Sequence, residues 1–324
     1  MTKNILITGG LGYIGKITQR ILNEKGIKTF VIDELPAADI SQKSSFKQLS
    51  LLNRLALEQL FEEEHFDVVL HFAAKIEVAE SVQRPLHYYR HNVEGTINLL
   101  EAMKKQPHCS LVFLSSAAVY SSTETLLSEQ SSTVPVNPYG QSKLMAEQII
   151  ADCPWLSAIV LRLFNVAGAH SKELGENHNP ETHLIPLVVK QLLDGQSVNI
   201  FGSNYPTKDG TCTRDFVHVL DVVSAIEYAL QYLEQARSRV FDIYNIGSGE
   251  DHSVKEVILE TAAQLQIDPK INYQPNRIGD TISLRANIHK AQEKLHWHPV
   301  HSNLTAIVKS SIDFQQVSSG TAEQ

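Results

Sequence analysis

A tyrosine and a lysine stand four residues apart in the segment NPYGQSK, residues 137–143. The proline and the following SKLMAEQII predict a helix start, where residues i and i+4 share one face. An ammonium beside a phenol favours its ionised form, so Tyr139 and Lys143 could act as a base near neutral pH. Such spacing is also common on ordinary helix surfaces. The elements that position the pair therefore decide between catalysis and a surface contact.

The alternation of β-rich and helical stretches over residues 1–168 predicts an α/β fold. We expect a Rossmann-type doubly wound parallel sheet that binds a dinucleotide, with a returning strand near residues 239–247. Residues 169–314 predict a smaller C-terminal α/β substrate lobe, interleaved with the first domain. Residues 315–324 predict a disordered tail.

The glycine turn TGGLGYIG follows the first predicted strand and supplies Gly9, Gly12 and Gly15. Glycine there lets the backbone approach a pyrophosphate, whose charge the helix N-terminus attracts. Asp33 ends the second predicted strand, 18 residues after Gly15, where it would accept the adenosine ribose hydroxyls. Its carboxylate would repel a 2′-phosphate, and no arginine stands beside it. The turn therefore predicts NAD rather than NADP.

Ser115 and Ser116 end the predicted strand SLVFLSS. Ligands of doubly wound sheets gather at the carboxyl ends of the strands. A serine, Tyr139 and Lys143 would therefore meet beside the nicotinamide. The lysine and the positive nicotinamide ring would both favour the phenolate, which supports the catalytic interpretation.

The chain resembles the extended short-chain dehydrogenases/reductases, and within them the UDP-glucose 4-epimerases (UDP-galactose 4-epimerases). The resemblance rests on TGGLGYIG, VVLHFAA, ESVQRPLHYYRHNVEGTINLLEAM, SSAAVY, NPYGQSKLMAEQ, LRLFNVAGAH, HLIPLV, IFGSNYPTKDGTCTRDFVHVLD, YNIGSG and RIGD. FNVAGA and YPTKDGTCTRDFVHV are typical of the epimerases and are not shared by the superfamily at large. The motifs cover nearly the whole chain.

The resemblance implies an isomerase in which Tyr139 removes the proton of the sugar 4-hydroxyl. Ser116 would bond that oxygen, and Lys143 would hold the nicotinamide ribose and lower the tyrosine pKa. The C4 hydride would pass to NAD, and the 4-keto sugar would turn about its diphosphate. Return of the hydride to the other face would interconvert UDP-glucose and UDP-galactose.

The resemblance also implies contact residues for the cofactor and for the UDP-sugar. The cofactor set is Gly9, Gly12, Tyr13, Ile14, Gly15, Asp33, Phe72, Ala73, Ala74, His91, Ser116, Tyr139, Lys143 and Phe164. The substrate set is Ser116, Tyr139, Asn165, Asn199, Phe201, Arg214, Arg277, Asp280 and Leu284. Asn165, Arg214 and Arg277 match phosphate ligands, Asp280 the acceptor of the uridine ribose hydroxyls, and residues 199–201 the uracil contact. Leu284 matches a gate beside the sugar 2-position; its intermediate size predicts hexose preference with slow turnover of acetamido sugars.

Four features depart from the family pattern. Ser50 stands where an aspartate is usual near the adenine, His91 replaces an asparagine, Ser121 replaces a glycine, and the segment after Asp33 is short. These departures predict weaker retention of NAD.

Other functions share parts of this pattern. A nucleotide-sugar dehydratase needs a proton donor and acceptor after its active-site threonine, where this chain has Ser116, Ala117 and Ala118. Methyl groups transfer no protons, which disfavours dehydration. A 4-epimerase of UDP-N-acetylhexosamine or UDP-pentose stays open because the chemistry is the same. A non-catalytic NAD sensor would not need the serine, tyrosine and lysine together.

Composition favours an ordinary globular enzyme with no nucleic-acid or membrane partner. The 324 residues carry a formal net charge of −8 and no basic run. Three widely spaced cysteines and no signal-peptide pattern predict a cytoplasmic protein. The sequence predicts a long helix from about Pro85 to Lys105, and the family implies a homodimer through the helices at 85–105 and 139–151. No metal is predicted, because His71, His87, His91, His108, His170, His178 and His183 show no paired ligand spacing.

Overall fold

The computed structural model describes residues 4–36, 44–120, 126–178, 180–276 and 282–320. The chain divides into two compact units. The first comprises residues 1–121, 132–162 and 226–244, and the second comprises residues 122–131, 163–225 and 245–324. The division falls at residue 163 and not at the predicted 168, because the strand Ala158–Leu163 ends there. The two units interleave along the chain as expected.

A seven-stranded sheet is the framework of the first unit. Its order is Phe241–Ile246, Ala158–Leu163, Ser110–Ser116, Val68–His71, Ile5–Thr8, Thr29–Asp33 and Ser45–Gln48. Neighbouring strands pair in parallel, with Thr8 opposite both Ile32 and His71. The predicted doubly wound α/β fold and its returning strand are confirmed. The sequence does not predict the edge strand Ser45–Gln48. Its sequence SFKQ has no apolar run, because none of its residues is fully buried.

Apolar strands and helices form the core of the first unit. All residues of Ile5–Thr8, Val68–His71 and Ala158–Leu163 are buried, which requires cover on both faces of the sheet. The α-helices of this unit are Tyr13–Glu24, Arg54–Glu63, Val78–Gln83, Pro85–Tyr88, Gly95–Met103 and Pro138–Ala151, with a 3₁₀ turn at Ala117–Val119.

The helix predicted from about Pro85 to Lys105 is interrupted. A π-helical segment, Tyr89–Glu94, separates the short helix Pro85–Tyr88 from Gly95–Met103. Such segments admit one extra residue per turn and occur frequently at functional sites. The buried Asn92 in this segment bonds the backbone of Lys75 and the hydroxyl of Ser142.

The second unit has short strands and helices around its own cores, in agreement with the predicted α/β lobe. Its strands are Leu126–Leu127, Asn165–Ala167, Ala169–Ser171, Leu174–Gly175, Val198–Phe201, Thr213–Arg214, Phe216–His218, His252–Ser253, Ile271–Gln274 and Ser283–Ala286. Its helices are Leu184–Leu193, Val254–Leu265, Leu304–Gly320 and the π-helical Ala291–Leu295. The helix Val219–Gln235 is shared with the first unit from Ile226 onward.

The predicted tail is partly wrong, because the last helix continues to Gly320. Ile307, Val308, Ile312 and Phe314 are buried and anchor this helix up to the point where disorder was expected, and the helix then continues for another six residues. Among the described residues, no helix is long and apolar enough to cross a membrane.

Candidate active site

The helix Pro138–Ala151, here called the Tyr139 helix, begins with a strong N-terminal signal. The Asn137 side chain accepts a hydrogen bond from the backbone N–H of Gly140 at 2.8 Å. Pro138 occupies the first turn, where it has no N–H to leave unpaired. The sequence NPYG therefore fixes where the helix starts and places Tyr139 in its first turn.

Gly140 lets this helix approach the turn after the strand Ser110–Ser116. A Cβ on Gly140 would lie only 2.1 Å from the carbonyl oxygen of Ala118. Ala118 in turn donates its backbone N–H to the Ser116 hydroxyl at 3.1 Å. The absence of a side chain at Gly140 thus brings the Tyr139 helix against the residues that hold Ser116.

Ser116 and Tyr139 meet as the sequence predicts. The Ser116 side chain lies close enough to the Tyr139 phenol to lower its pKa, and both residues are partly buried. Lys143 lies one turn further along the Tyr139 helix and is almost fully buried. Its ammonium donates to the carbonyl oxygen of Leu114 at 2.8 Å and lies 4.8 Å from the centre of the Phe113 ring.

The expected effect of Lys143 on the Tyr139 pKa is not found within the protein alone. Burial raises the pKa of Tyr139, while the Ser116 hydrogen bond lowers it and Glu77 raises it further. Burial also lowers the pKa of Lys143 to about 7, against a smaller opposing effect of Glu147. A lysine that is only partly charged stabilises a phenolate weakly. The other contribution expected from the sequence, the positive nicotinamide ring, comes from outside the chain.

A buried polar network that the sequence analysis missed supports the Tyr139 helix. Glu147 of this helix pairs with Arg162 at 2.7 Å, and both side chains are less than 5% exposed. Ser115 donates to Glu147, and Arg162 donates to the Tyr120 hydroxyl at 2.9 Å. The available signal was a charged residue inside each of two apolar runs, LMAEQII and AIVLRL. A buried charge needs a partner, so such residues predict each other.

The glycine turn has the shape that a dinucleotide phosphate requires. Gly9 has a φ of +68°, and a Cβ there would lie 2.6 Å from the backbone of Ala73. A Cβ on Gly15 would lie 2.5 Å from the Gly9 carbonyl oxygen. Gly12 is the N-cap of the helix Tyr13–Glu24 and contributes no side-chain cap. The helix therefore begins at Tyr13 and Ile14, and the glycines before it have no side chains that would keep a phosphate away from its N-terminus.

Asp33 ends its strand where the sequence predicts. Its carboxylate accepts the backbone N–H groups of Leu11 and Leu35, each at 3.0 Å. These bonds hold it beside the glycine turn while the residue stays partly exposed. The chain thus fits the adenosine end of NAD by its glycine cradle and by a fixed carboxylate.

The remaining predicted cofactor residues fall in different places. Phe72, Ala73 and Ala74 directly follow the strand Val68–His71, and Ala73 donates to the Thr8 hydroxyl at 3.3 Å. His91 lies in the π-helical segment and bonds the His87 carbonyl through Nδ1. Phe164 belongs to the second unit.

The four departures from the family pattern differ in what the structure describes of them. Ser50 accepts the Leu52 N–H at 3.3 Å, and His91 has the bond just described. Ser121 and the second half of the short segment after Asp33, residues 37–39, lie outside the described residues.

Three predicted substrate residues lie on neighbouring strands of the second unit. Arg214 is opposite Leu284 in one pair of parallel strands. Asn165 is opposite Phe216, two residues beyond Arg214. Asn165 is exposed, whereas the other two are partly buried, so all three can reach a ligand.

Asn199 and Phe201 lie on a separate pair of strands in the same unit. Phe201 is opposite Gln274, three residues before Arg277. Arg277 and Asp280 themselves lie outside the described residues. The predicted uracil contacts therefore pair with the strand Ile271–Gln274, which ends three residues before Arg277 in the sequence.

A buried carboxylate that the sequence analysis did not select organises this part of the second unit. Asp215 accepts backbone N–H groups from Ser248, Gly249 and Ala286 and the hydroxyl of Ser248. Burial raises its pKa, against these hydrogen bonds, which lower it. Asp215 directly follows Arg214, so these bonds fix the strand that carries a predicted phosphate ligand.

The histidines occupy several environments. His71 is buried between the hydroxyls of Thr8 and Thr96, and burial lowers its pKa to about 3, typical of a core histidine. His178 and His183 instead lie together with two carboxylates, a grouping that the sequence spacing did not indicate.

Comparison with known proteins agrees with this geometry. The NAD dependent epimerase/dehydratase family matches residues 5–247. The UDP-glucose 4-epimerase of Lactobacillus helveticus is 38% identical over 316 residues, which cover 95% of each chain. The crystal structure of UDP-glucose 4-epimerase from Brucella ovis in complex with NAD has a TM-score of 0.90 and 34% identity, covering 96% of this chain and 97% of that one. That from Bifidobacterium longum with NAD⁺ and UDP has a TM-score of 0.88 and 30% identity, covering 97% and 98%.

The chain belongs to the NAD dependent epimerase/dehydratase family. The predicted resemblance, the α/β fold class and the NAD dependence are thereby confirmed.

Proposed function

We propose that this chain is a UDP-glucose 4-epimerase, an isomerase that interconverts UDP-glucose and UDP-galactose. The observation that carries the proposal is the placement of the Ser116 side chain beside the Tyr139 phenol, with Lys143 buried one helix turn away. The near-complete overlap with the Lactobacillus helveticus epimerase supports the same conclusion.

Tyr139 is the base in the proposed reaction. It takes the proton of the sugar 4-hydroxyl and later returns it, while Ser116 holds the sugar oxygen through its hydroxyl. Bound NAD supplies the hydride acceptor and donor for C4. Lys143 is held by the Leu114 carbonyl and contributes a positive charge whose amount depends on pH near neutrality, because its pKa is about 7.

Asp33 sets the choice of cofactor. Its carboxylate is fixed by two backbone N–H groups and would face the adenosine ribose, so a 2′-phosphate there meets a negative charge. We expect the purified protein to carry NAD(H) substoichiometrically and to be stimulated by added NAD but not by NADP. Equal stimulation by the two cofactors in an activity assay would contradict this role.

The second unit supplies the proposed UDP-sugar contacts. Arg214, Arg277 and Asn165 take the diphosphate region, since planar guanidinium groups bind phosphate oxygens in pairs. Asp280 accepts the uridine ribose hydroxyls, and Asn199 and Phe201 contact the uracil. Leu284 is the gate beside the sugar 2-position.

The residues after Ser116 disfavour a dehydratase. Ala117 and Ala118 form the 3₁₀ turn that follows the strand, so methyl groups stand where a dehydratase requires an acid and a base. A pure NAD sensor would have no use for a serine side chain beside the tyrosine phenol and a buried lysine.

The decisive experiment is NMR of the nucleotide sugars after incubation with UDP-galactose and NAD. We expect UDP-glucose as the product, and no conversion by a folded Tyr139→Phe variant. UDP-N-acetylglucosamine should react more slowly, because Leu284 narrows the gate. A higher kcat/KM for the acetamido sugar would replace the hexose assignment with the N-acetylhexosamine alternative. Binding of NAD without conversion of any nucleotide sugar would favour the sensor.

We further propose a homodimer and a cytoplasmic location. Cys109, Cys153 and Cys212 form no disulfide in the part of the chain that the structure describes, consistent with a reducing compartment. Of the apolar residues on the predicted dimer helices, Val93 and Leu100 are buried in the chain's own core, whereas Leu86 is 79% exposed. Val82 and Ile97 on the same run of helices are also exposed, which supports a partner for this face.

A further inference from the structure

Four side chains between the strand Leu174–Gly175 and the helix Leu184–Leu193 converge in the second unit. They are Glu176, His178, Glu181 and His183, and one nitrogen or oxygen from each lies within 4.8 Å of all the others. Two imidazoles and two carboxylates form a donor set that suits Zn²⁺ and related first-row divalent metals. None of these residues belongs to the proposed catalytic or UDP-sugar set.

The distances between these atoms are close to the ligand-to-ligand distances in a tetrahedral metal site. His178 Nδ1 lies 3.6 Å from Glu176 Oε1 and 3.7 Å from Glu181 Oε2, and His183 Nδ1 lies 4.0 Å from Glu181 Oε1. Metal bonds of about 2.1 Å in a tetrahedron place ligand atoms roughly 3.4 Å apart. Each of these three distances would therefore need to shorten by less than about 1 Å for the atoms to bind one ion. The fourth contact, between His183 and Glu176, is already a hydrogen bond.

One of the carboxylates is positioned before any ligand arrives. Glu181 accepts the backbone N–H groups of Thr182 at 2.8 Å and of His183 at 2.9 Å through Oε1, and that of His178 at 3.3 Å through Oε2. These bonds turn the carboxylate toward the two imidazoles. Such outer contacts are what orients ligands in metal sites.

Within the described residues, the carboxylate of Glu176 has an unsatisfied oxygen that indicates a bound cation. The Glu176 side chain is 4% exposed, and its Oε1 faces both imidazoles. Its Oε2 is buried and has no hydrogen-bond partner among the residues that the structure describes. A buried carboxylate oxygen without a partner is costly, and a bound cation would compensate for it.

We propose that Glu176, His178, Glu181 and His183 form a structural zinc site. Four protein ligands leave no open position, so the ion would not itself catalyse a reaction. It would hold the segment from Glu176 to His183 and thereby fix the start of the helix Leu184–Leu193. The prediction that the protein binds no metal would then be wrong. It relied on the ligand spacings typical of helices, whereas these four ligands lie in a loop with the pattern E-x-H-x-x-E-x-H.

The test measures metal content and metal-dependent stability of the full chain. The protein is treated with EDTA, dialysed and titrated with Zn²⁺, and binding is followed by calorimetry, by elemental analysis after gel filtration and by the thermal midpoint. Co²⁺ is used in parallel, because four-coordinate Co²⁺ absorbs strongly in the visible region. We expect about one Zn²⁺ per chain and a rise in the thermal midpoint, as for any ligand that binds only the folded state.

Two variants and one control make the result specific. Glu176→Gln keeps the shape of the side chain, and His178→Ala removes one imidazole; each should weaken Zn²⁺ binding roughly 100-fold or more, since even outer-shell changes cost 10–100-fold. His289→Ala should bind like the wild type, because the His289 side chain is 69% exposed and lies 3.4 Å from an exposed carboxylate, Glu293. Less than one fifth of an equivalent of zinc on the wild type (a threshold of about 0.2) would overturn the proposal. Binding that is equal in Glu176→Gln, His178→Ala and His289→Ala would show an adventitious metal only and would overturn it as well.

Discussion

At the scale of single residues, the reactivity of Tyr139 depends on its surroundings more than on its spacing from Lys143. Burial raises the pKa of the phenol, so the protein alone keeps it protonated at neutral pH. Ser116 opposes this by its hydrogen bond, and Lys143 adds a charge only to the extent that it is protonated. The base is therefore prepared only partly by the chain and completed when its ligands bind.

Replacement of Tyr139 by phenylalanine tests its role directly. Tyr139→Phe keeps the ring but removes the group that takes the proton, so kcat should fall about 10²–10⁴-fold with substrate affinity largely retained. Ser116→Ala should cost less, because it removes a hydrogen bond and not the base. The measurement is the initial rate with UDP-galactose, with folding checked by circular dichroism. Tyr228→Phe, the same deletion on a helix without a proposed role, is the control, and a nearly fully active Tyr139→Phe would show that the pair is structural and not catalytic.

The depressed pKa of Lys143 predicts a pH-dependent stability. In the unfolded chain Lys143 titrates near its ordinary pKa of 10.5, whereas in the folded chain it titrates near 7. Between these values the unfolded state binds more protons, so this lysine's contribution to stability rises with pH and is at its lowest below pH 7.

The comparison with Lys143→Met isolates that contribution. We expect the free energy of unfolding of the wild type, minus that of Lys143→Met, to increase from pH 7 to pH 9 by roughly 1 kcal/mol per pH unit. Denaturant unfolding at four pH values measures it, and exposed Lys309→Met should show no such slope. A pH-independent difference would mean that Lys143 is charged in the folded protein throughout.

The sequence predicted the residues whose role follows from their type and local spacing. It did not predict properties that depend on the folded environment of a residue. Ser116, Tyr139, Lys143 and the Asp33 turn were found because their spacing follows local rules for strands, turns and helix starts. The direction of the Tyr139 pKa could not be predicted, because it depends on burial by residues distant in the chain. Glu147 and Arg162 each stand in an apolar run, which indicates a need for a buried partner, but how the helix and the strand bring the two together depends on their packing.

At the scale of elements, the site depends on how closely the Tyr139 helix packs against the turn after the strand Ser110–Ser116. Hydrogen bonds from Lys143 to Leu114 and from Ser115 to Glu147 join the helix to this strand. The ion pair of Glu147 with Arg162 joins it to the strand Ala158–Leu163. Because breaking a buried pair typically costs about 3–5 kcal/mol, the helix cannot shift without a large loss of stability.

Gly140→Ala tests this close approach. Alanine favours helices by about 1 kcal/mol over glycine, but its Cβ would collide with the Ala118 carbonyl, 2.1 Å away. We therefore expect a net loss of roughly 1–3 kcal/mol in stability and a clear fall in kcat, because the displaced turn holds Ser116. Thermal midpoints and initial rates measure the two effects. Gly95→Ala is the control, because its Cβ would meet only the Leu51 side chain at 3.2 Å; an equal or smaller loss at Gly140 would contradict the argument.

Element prediction succeeded where the period of the apolar residues was regular. The buried strands and the helices Tyr13–Glu24 and Pro138–Ala151 follow directly from such runs and from glycine or proline boundaries. The sequence predicts an ordinary α-helix over the π-helical segment Tyr89–Glu94. One extra residue per turn barely changes the spacing of apolar residues over only six positions. The end of the helix Leu304–Gly320 was missed because its serine-rich last turns lack an apolar signal.

At the scale of the whole molecule, each unit carries a separate part of the proposed function. The first holds the glycine turn, Asp33 and the three proposed catalytic residues, and the second holds the proposed UDP-sugar contacts. The chain passes between the units several times, so neither is a continuous segment that could be cut out by truncation at one point. The sequence predicted this interleaving through the returning strand but not the positions of the crossings.

The exposed apolar face of the first unit predicts association of two chains. Leu86 is 79% exposed, and Val82 and Ile97, on the helices before and after it in the chain, are 63% and 39% exposed. We expect light scattering after gel filtration to give twice the chain mass of 36.1 kDa. Leu86→Glu should shift the equilibrium toward the monomer at micromolar concentration, because a charge would be buried in the contact.

Leu55→Glu is the matched control for this last experiment. Leu55 is 78% exposed on the helix Arg54–Glu63, outside the proposed dimer face, so the same substitution there should leave the mass unchanged. A monomeric wild type would remove the dimer from the proposed function. A dimer that tolerates Leu86→Glu as well as Leu55→Glu would place the contact on another surface of the chain.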